Sequence, residues 1–263
     1  MILAFDVGNT ETTIGLCAGT SVRERWRVTT EGGRTPDEVH LLILALLSAA
    51  NVDRATITGS AIASVVPSVT AALTDACRKL IGAEPIIVDG RSKLPITLDV
   101  DEPQTVGADR IVNTLAASRL HKCDCIVVDL GTATTYDCIT ADGVFLGGVI
   151  APGVQLSAES LFRKTSKLPA TEIIPPKSVI GKRTEECIRA GVVLGSAEAI
   201  DGLVRRIKAV WPRPNVPMVI ATGGLAAAFK PLCSQIESVE PDLTLQGLAI
   251  AYELLNSQVT NRV

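Results

Sequence analysis

The sequence has only two histidines, no excess of basic residues and no long uncharged apolar run. Lysine and arginine total 25 against 28 aspartates and glutamates, so no basic surface favours nucleic acid or an anionic membrane. The most apolar stretch, residues 41–50, is too short to span a membrane and is typical of a buried helix. Met1 leads directly into a strand-like run, so we expect no signal peptide.

The seven cysteines are odd in number and lie mostly inside apolar runs. This pattern is typical of reduced, buried thiols and predicts a cytoplasmic protein. Cys123 and Cys125 could hold a metal, but zinc sites need paired ligand sets, and His40 and His121 lie in separate helical patterns. We therefore favour structural thiols here. A catalytic cysteine–histidine pair stays open, although no pattern indicates one.

The common glycine-rich nucleotide motifs are also absent. The segment GKRT at 181–184 has Pro176 where a P-loop would have its first glycine, and no G-x-G-x-x-G occurs. The chain therefore has neither a P-loop nor a simple Rossmann fingerprint.

Short β-rich runs alternate with helical patterns, which predicts an α/β chain. Strands are predicted at 2–8, 12–17, 22–28, 60–65, 85–88, 125–129, 133–139 and 144–150. Helices are predicted at 36–50, 68–81, 107–120, 153–162, 183–210, 224–231 and 244–256.

The chain shows the same opening twice. ILAFDVG, TTIGLC and VRERWRV start the first half, and CIVVDLG, TTYDCI and GVFLGGVI start the second. Each set predicts a three-stranded antiparallel meander followed by helices. We expect a duplicated fold with halves at 1–118 and 119–263 and a ligand cleft between them.

Each first strand ends in an aspartate followed by a glycine turn rich in small hydroxyls, at Asp6 and Asp129. Gly8 and Gly131 would let a ligand approach the backbone. A carboxylate repels phosphate, so these aspartates make sense beside cations such as Mg²⁺ bound to phosphates. One copy alone is most simply turn chemistry, but two copies at matching positions favour a nucleotide site.

Two further segments have a structural and a functional interpretation. ATGGLA at 221–226 is either a tight turn or a close approach to a flat group such as adenine. Asp109 and Arg110 lie in the first turn of a predicted helix, where an acidic residue suits the helix dipole. Alternatively, Asp109 is a base for a substrate hydroxyl and Arg110 holds a negative charge.

Seven segments in order resemble the type III pantothenate kinases, of the acetate and sugar kinase, Hsc70 and actin superfamily: DVGNT, VGADRIVN, DLGTATTYD, GGVIAPGVQLS, IGKRT, ATGGLA and PDLTLQGL. The resemblance covers about residues 6 to 256. It implies a pair of ribonuclease-H-like halves around a nucleotide cleft. It also implies phosphoryl transfer from ATP to the primary hydroxyl of pantothenate in coenzyme A synthesis, with Mg²⁺, a monovalent cation (K⁺ or NH₄⁺) and a homodimer.

The resemblance also implies roles for individual residues. The ATP-binding residues would be Asp6, Val7, Gly8, Asn9, Thr10, Glu11, Thr12 and Thr13 of the first turn, with Thr132 of the second. Pantothenate would contact Gly107, Ala108, Asp109, Arg110 and Thr184. Asp109 would be the catalytic base, and Asp129 would bind the monovalent cation.

Two positions depart from the family pattern. Val100 stands where the family often has a tyrosine, so either a hydrogen bond to the substrate is lost or another group replaces it. Glu11 puts a negative charge inside the first phosphate turn, which requires a cation or an outward rotamer.

Three rival functions stay open: a sugar kinase on the same fold, a non-enzymatic relative acting in transcription, and an ATP-driven interaction protein. For the dimer, the wide apolar stripe predicted on the helix at 183–210 either packs inside one subunit or, as we favour, packs partly against a partner.

Overall fold

The computed structural model describes residues 1–260 of the 263-residue chain, with side chains as far as residue 258. The chain forms two compact units. The first contains Met1–Leu120 and the chain from Asp242 onward, and the second is His121–Pro241. No helix in the described residues is both long enough and apolar enough to cross a membrane.

The first unit is built on a sheet of five strands: β1 (Ile2–Val7), β2 (Glu11–Ala18), β3 (Ser21–Thr29), β4 (Gly59–Ser64) and β5 (Ile86–Val88). Their order is β3-β2-β1-β4-β5. The first three strands form the predicted antiparallel meander, and β4 and β5 extend the sheet in parallel. A two-residue strand, β6 (Thr97–Leu98), follows in the chain.

Three helices of this unit follow the predicted positions: α1 (Pro36–Ala49), α2 (Pro67–Ile81) and α3 (Ala108–His121). A capping box starts α1, since Thr35 Oγ1 accepts from the Glu38 N–H and Glu38 Oε2 accepts from the Thr35 N–H at 2.7 Å. The apolar faces of α1 and α2 pack with the inner face of the meander into one core.

The second unit repeats this topology with β7 (Cys125–Leu130), β8 (Ala133–Ile139), β9 (Val144–Pro152), β10 (Met218–Thr222) and β11 (Ser238–Val239). Its strands run in the order β9-β8-β7-β10-β11, again an antiparallel meander extended by two parallel strands. The α/β class and the duplicated architecture are therefore confirmed. The sequence did not predict β6, β10 and β11 as strands.

The helices of the second unit are α4 (Val154–Lys164), α5 (Thr184–Arg189), α6 (Gly195–Ala209) and α7 (Ala226–Phe229). A π-helical turn at Ala190–Leu194 joins α5 to α6. The predicted apolar stripe on this helix is buried or half-buried in the unit's own core. The stripe is thus explained within one subunit, as the alternative interpretation predicted, and that part of it packs against a partner stays a prediction.

The last helix, α8 (Leu243–Thr260), follows β11 in the chain but packs on the sheet of the first unit. Glycines of that unit allow the close approach: a side chain at Gly15 would overlap Leu245, and one at Gly59 would overlap the Tyr252 ring. The first unit therefore has two faces covered, one by α1 and α2 and the other by α3 and α8. The boundary at 120/121 lies close to the predicted one, but the last helix belongs to the other unit.

Candidate functional site

The first candidate segment, Asp6–Thr13, is the hairpin between β1 and β2. Asp6 pairs directly with Thr13 across the two strands, so their side chains lie on the same face of the sheet. The hairpin closes with the Gly8 N–H donating to the Glu11 carbonyl at 3.1 Å. Asn9 and Thr10 at its tip are exposed, and backbone and hydroxyl donors there can meet an anion.

Contacts with β3 and with the end of β4 brace this hairpin. The Thr30 N–H donates to the Thr10 carbonyl at 3.0 Å, and the hydroxyls of Thr12 and Thr30 lie 2.8 Å apart. The Val65 N–H donates to the Val7 carbonyl at 3.1 Å. The hairpin tip is therefore held in place from two sides.

The charge of Glu11 is balanced within the first unit. Its Oε1 lies 2.8 Å from Nε of Arg27 on β3, and both side chains are about half exposed. This cation compensates the negative charge that Glu11 brings to the predicted phosphate turn. Sequence reasoning missed Arg27, although the alternating arginines at 23, 25 and 27 signalled a charged strand face.

The second candidate segment, Gly107–Arg110, lies at the start of α3 in the same unit. Val65 links it to the first hairpin, because its side chain borders Gly107 while its N–H bonds to Val7. The Gly107 carbonyl accepts from the Ile111 N–H at 3.2 Å and so opens the helix. The structure thus brings the predicted ATP turn and the predicted pantothenate segment together.

The carboxylate of Asp109 folds back over the start of α3. Its Oδ1 accepts from the Arg110 N–H at 2.9 Å, and any side chain at position 107 would overlap that oxygen. Glycine at 107 is therefore required by the carboxylate's position. The helix N-terminus favours a negative charge there. Ala108 is buried, and Asp109 and Arg110 are half-buried.

The second hairpin, between β7 and β8, repeats the first with a shorter turn. Asp129 pairs with Thr135 as Asp6 pairs with Thr13, and the Gly131 N–H donates to the Ala133 carbonyl at 3.1 Å. Gly131 and Thr132 at its tip are exposed. Gly153, after β9, passes so close to the Thr132 carbonyl that no side chain fits.

The ATGGLA segment lies against this second hairpin. Gly223 has φ +89°, and a side chain there would overlap Asp129 Oδ1 and the backbone of Leu130. The Leu225 N–H donates to the Leu130 carbonyl at 3.4 Å. The glycine pair therefore permits a close approach to the chain's own second turn, and it places backbone beside the Asp129 carboxylate.

Thr184, the remaining predicted residue, is exposed at the first position of α5 in the second unit. The Glu186 carboxylate fixes the turn before it by accepting from the backbone N–H groups of Lys182 (2.9 Å) and Arg183 (3.3 Å). The hydrogen bond from the Lys182 backbone, with a smaller one from Arg183, holds the pKa of Glu186 below its usual value. Thr184 is thus presented on an ordered helix start.

No group of three or more His, Cys, Asp or Glu side chains within the described residues could hold a metal ion. Cys123 and Cys125 have their sulfurs 3.8 Å apart, and burial, followed by the neighbouring Cys123 thiol, raises the pKa of Cys125 far above the ordinary thiol value. Both cysteines are free thiols, Cys125 buried and Cys123 half-buried.

Comparisons with known proteins identify the family. The family model described as type III pantothenate kinase matches residues 2–206. The type III pantothenate kinase of Desulfatibacillum aliphaticivorans is 43% identical over 258 residues, covering 98% of this chain and 100% of that protein. That of Geobacillus sp. (strain WCH70) is 43% identical and covers 96% of this chain and 97% of its own length.

Solved structures show the same fold at low sequence identity. The activator of 2-hydroxyisocaproyl-CoA dehydratase from Clostridium difficile, with bound ADPNP, has a TM-score of 0.57 and 14% identity. The match covers 99% of this chain and 97% of the activator chain. Component A of (R)-2-hydroxyglutaryl-CoA dehydratase from Acidaminococcus fermentans has a TM-score of 0.57 and 13% identity, with 98% of each chain covered.

Proposed function

The chain belongs to the type III pantothenate kinase family, and from that premise we propose how its residues divide the work of the reaction. The reaction is the ATP-dependent phosphorylation of pantothenate, the first step of coenzyme A biosynthesis. Phosphoryl transfer asks little covalent chemistry of a protein. It asks for alignment of donor and acceptor and for neutralisation of charge.

ATP is held by the first hairpin, with Thr132 of the second hairpin as a further contact. The support is the braced backbone of Asp6–Thr13, whose glycine and hydroxyl-rich tip is suited to phosphate oxygens. Asp6 is half-buried at the carboxyl end of β1, where parallel strands of an α/β sheet bind ligands.

Two cations fit the two aspartates. Mg²⁺ is usually held by one or two carboxylates together with substrate phosphates, so Asp6 suits it without a protein cage. Mg²⁺ would neutralise the charge that develops on the phosphates. Asp129 would hold a monovalent cation, K⁺ or NH₄⁺, because its carboxylate lies near the end of β7, beside the exposed tip of the second hairpin, where a negative charge near phosphates favours a cation.

Pantothenate binds at Gly107–Arg110. The observation that carries this assignment is the Asp109 carboxylate, turned back over Gly107 at the start of α3 and joined through Val65 to the ATP turn. Oδ1 accepts from the Arg110 N–H, and Oδ2 would accept the proton of the primary hydroxyl. Arg110 would pair with the carboxylate of pantothenate.

The enzyme acts as a homodimer in which Thr184 completes the partner's pantothenate site. The support is a set of large apolar side chains on α4 and in the segment after it that are exposed in the second unit: Leu156, Leu161, Phe162, Ile174, Val179 and Ile180. Val154 is the only buried residue of α4, and exposed apolar side chains of this kind often mark a protein–protein interface. Thr184 follows these side chains directly in the chain.

A coupled assay with ATP separates the proposed activity from its rivals. Pantothenate, several sugars and no added acceptor are compared, with ADP release and phosphorylated product both measured. We expect product only with pantothenate. Product from a sugar would indicate a sugar kinase, ADP release without acceptor would indicate an ATP-driven interaction protein, and no turnover would indicate a non-enzymatic relative.

The dimer is tested by mass and by complementation. Light scattering should give about twice the chain mass of 27.6 kDa, and Phe162→Glu should give the monomer. Leu41→Glu, at an exposed leucine of α1 in the first unit, is the matched control and should stay dimeric.

Mixing Asp109→Asn subunits with Thr184→Val subunits should restore activity, because each mixed dimer has one intact composite site. A fully active monomer would rule out the composite site.

A further inference from the structure

Arg27 lies in the same row of the sheet as two residues of the proposed ATP site. Asp6 pairs with Thr13, and Thr13 pairs with Arg27, across β1, β2 and β3. Directly paired residues point to the same face with their Cβ atoms about 4.5–5.5 Å apart. The Arg27 side chain therefore lies on the same face of the sheet as the Asp6 side chain.

The ion pair between Arg27 and Glu11 contributes little to folding. The side chains are 55% and 44% exposed, and exposed pairs of this kind stabilise proteins by about 0–1 kcal/mol. The pair therefore calls for an explanation other than stability, and its place beside the phosphate turn offers one.

The second hairpin lacks both charges. Ala133 takes the place of Glu11 as the first residue of its strand and as the carbonyl that closes the turn. Ile150 takes the place of Arg27, since it pairs with Thr135 as Arg27 pairs with Thr13. Within one chain, the carboxylate in the turn and the cation on the third strand occur together or not at all.

We propose that Arg27 is a positioning residue for ATP: it holds and neutralises Glu11, so that this carboxylate does not repel the phosphate chain in the first hairpin. The proposal rests on the assignment of ATP to that hairpin. Two carboxylates, Asp6 and Glu11, flank the turn. Mg²⁺ on the phosphates would compensate Asp6, and Arg27 compensates Glu11 without touching the nucleotide.

A charge cycle tests the proposal through the KM for ATP. Arg27→Gln leaves Glu11 unpaired, and we expect the KM for ATP to rise about tenfold while the KM for pantothenate and the melting temperature change little. Glu11→Gln alone should lower the KM for ATP, because it removes a negative charge from the turn and leaves the Arg27 cation beside it. The double variant Glu11→Gln/Arg27→Gln should return to within about threefold of the parent.

Two further variants separate charge from shape and position. Arg27→Lys keeps the charge and should keep most of the ATP affinity. Arg25→Gln removes the next arginine on the same face of β3, which pairs with Asp242 at 2.9 Å, and should leave the KM for ATP unchanged. The loss of binding affinity in Arg27→Gln should also be largest for ATP, smaller for ADP and smallest for adenosine, because the number of phosphate charges falls in that order.

Two outcomes would overturn the proposal. An unchanged KM for ATP in Arg27→Gln would show that Glu11 needs no neutralisation. A double variant as weak as Arg27→Gln would show that Arg27 contacts the nucleotide itself. Thr10→Val tests the underlying assignment separately, because unchanged nucleotide affinity there would remove ATP from the hairpin whatever Arg27 does.

Discussion

The two hairpins of this protein have the same strand pairing near the turn, but their turn lengths and charged side chains differ. In both, an aspartate on the first strand pairs with a threonine on the second: Asp6 with Thr13, and Asp129 with Thr135. The turns differ in length, since Val7 pairs with Thr12 whereas Leu130 pairs with Thr134. Strand register thus preserves the aspartate–threonine row, and the turn beyond it is free to diverge.

The third strand of each meander shows what divergence has produced. Arg27 on β3 is paired with Glu11 beside the proposed phosphate turn. Ile150, its counterpart on β9, is 66% exposed and precedes the exposed apolar side chains of α4. The same sheet position therefore carries a charged side chain in the first unit and an exposed apolar one in the second.

The connections after the strands differ in the same way. Residues 30–58 join β3 to β4 through α1 and a short 3-10 turn, whereas residues 153–217 join β9 to β10 through α4, α5 and α6. The longer connection carries Thr184. In turn, residues 89–107 of the first unit carry Val100 and Gly107, while only residues 240–242 separate β11 from α8. The lengthened connections thus carry residues of the proposed pantothenate site.

The largest expected effect is on turnover, and it compares α3, which follows β5 and β6 in the first unit, with α8, which follows β11. Asp109→Asn at the start of α3 should keep ATP binding but lower turnover by about 10²-fold or more, the scale of a lost general base. Asp242→Asn, just before α8, is the matched control and should turn over normally. Steady-state kinetics and nucleotide binding check both. Near-normal turnover in Asp109→Asn would remove it from the base role.

The next effect, on the cation dependence of turnover, distinguishes Asp6 from Asp129, the equivalent aspartates of the two hairpins. Activity should require K⁺ or NH₄⁺ and fall in buffer with Na⁺ alone. Asp129→Ala should lose this dependence together with most activity, about thirtyfold or 2 kcal/mol, because the cation loses its carboxylate. Asp6→Asn should also be weak, but its residual activity should still respond to K⁺. Turnover is measured against K⁺ at constant ionic strength, and an equal response in both variants would contradict the assignment.

The sequence predicts the meanders and both hairpins because alternation and turn residues are local signals. It does not predict β10 as a strand, since the run Met218–Thr222 is short, buried and without alternation. The Arg27–Glu11 pair depends on register between strands, and the packing of α8 on the first unit joins segments far apart in the chain. Neither leaves a local trace, so both required the structure.

A smaller effect concerns the helices that follow the meanders. Asp201 on α6 is buried and accepts from the Ser234 N–H (2.8 Å), the Ser234 hydroxyl (2.5 Å) and the Gln235 N–H (3.0 Å). His40, a buried polar side chain on α1, makes a long contact with the Ala76 carbonyl at 3.5 Å. Burial alone would raise the pKa of Asp201, but the hydrogen bonds from Ser234 and Gln235 outweigh it and hold that pKa below its usual 3.8.

A lowered pKa means that the Asp201 contribution is fully present above about pH 4 and is lost as the pH falls through the folded-state pKa. Asp201→Asn should lower the free energy of unfolding by about 1.5 kcal/mol at pH 7, with a smaller loss below pH 4. Asp75→Asn is the control, because the Asp75–Arg78 pair on α2 is exposed and should contribute little. The free energy of unfolding is measured with urea at several pH values. An equal loss of stability in the two variants would contradict the proposed contribution of Asp201.

The smallest effect tests the long connection between β5 and α3. Val100 is half-buried there, before the short turn Pro103–Thr105, at a position where the family often has a tyrosine. Val100→Tyr should lower the KM for pantothenate about threefold, the scale of one net hydrogen bond, and leave the KM for ATP unchanged. Val100→Phe adds the ring without the hydroxyl and should show no gain. An equal gain with phenylalanine would assign the effect to packing, and no gain with tyrosine would show that another group already fills this role.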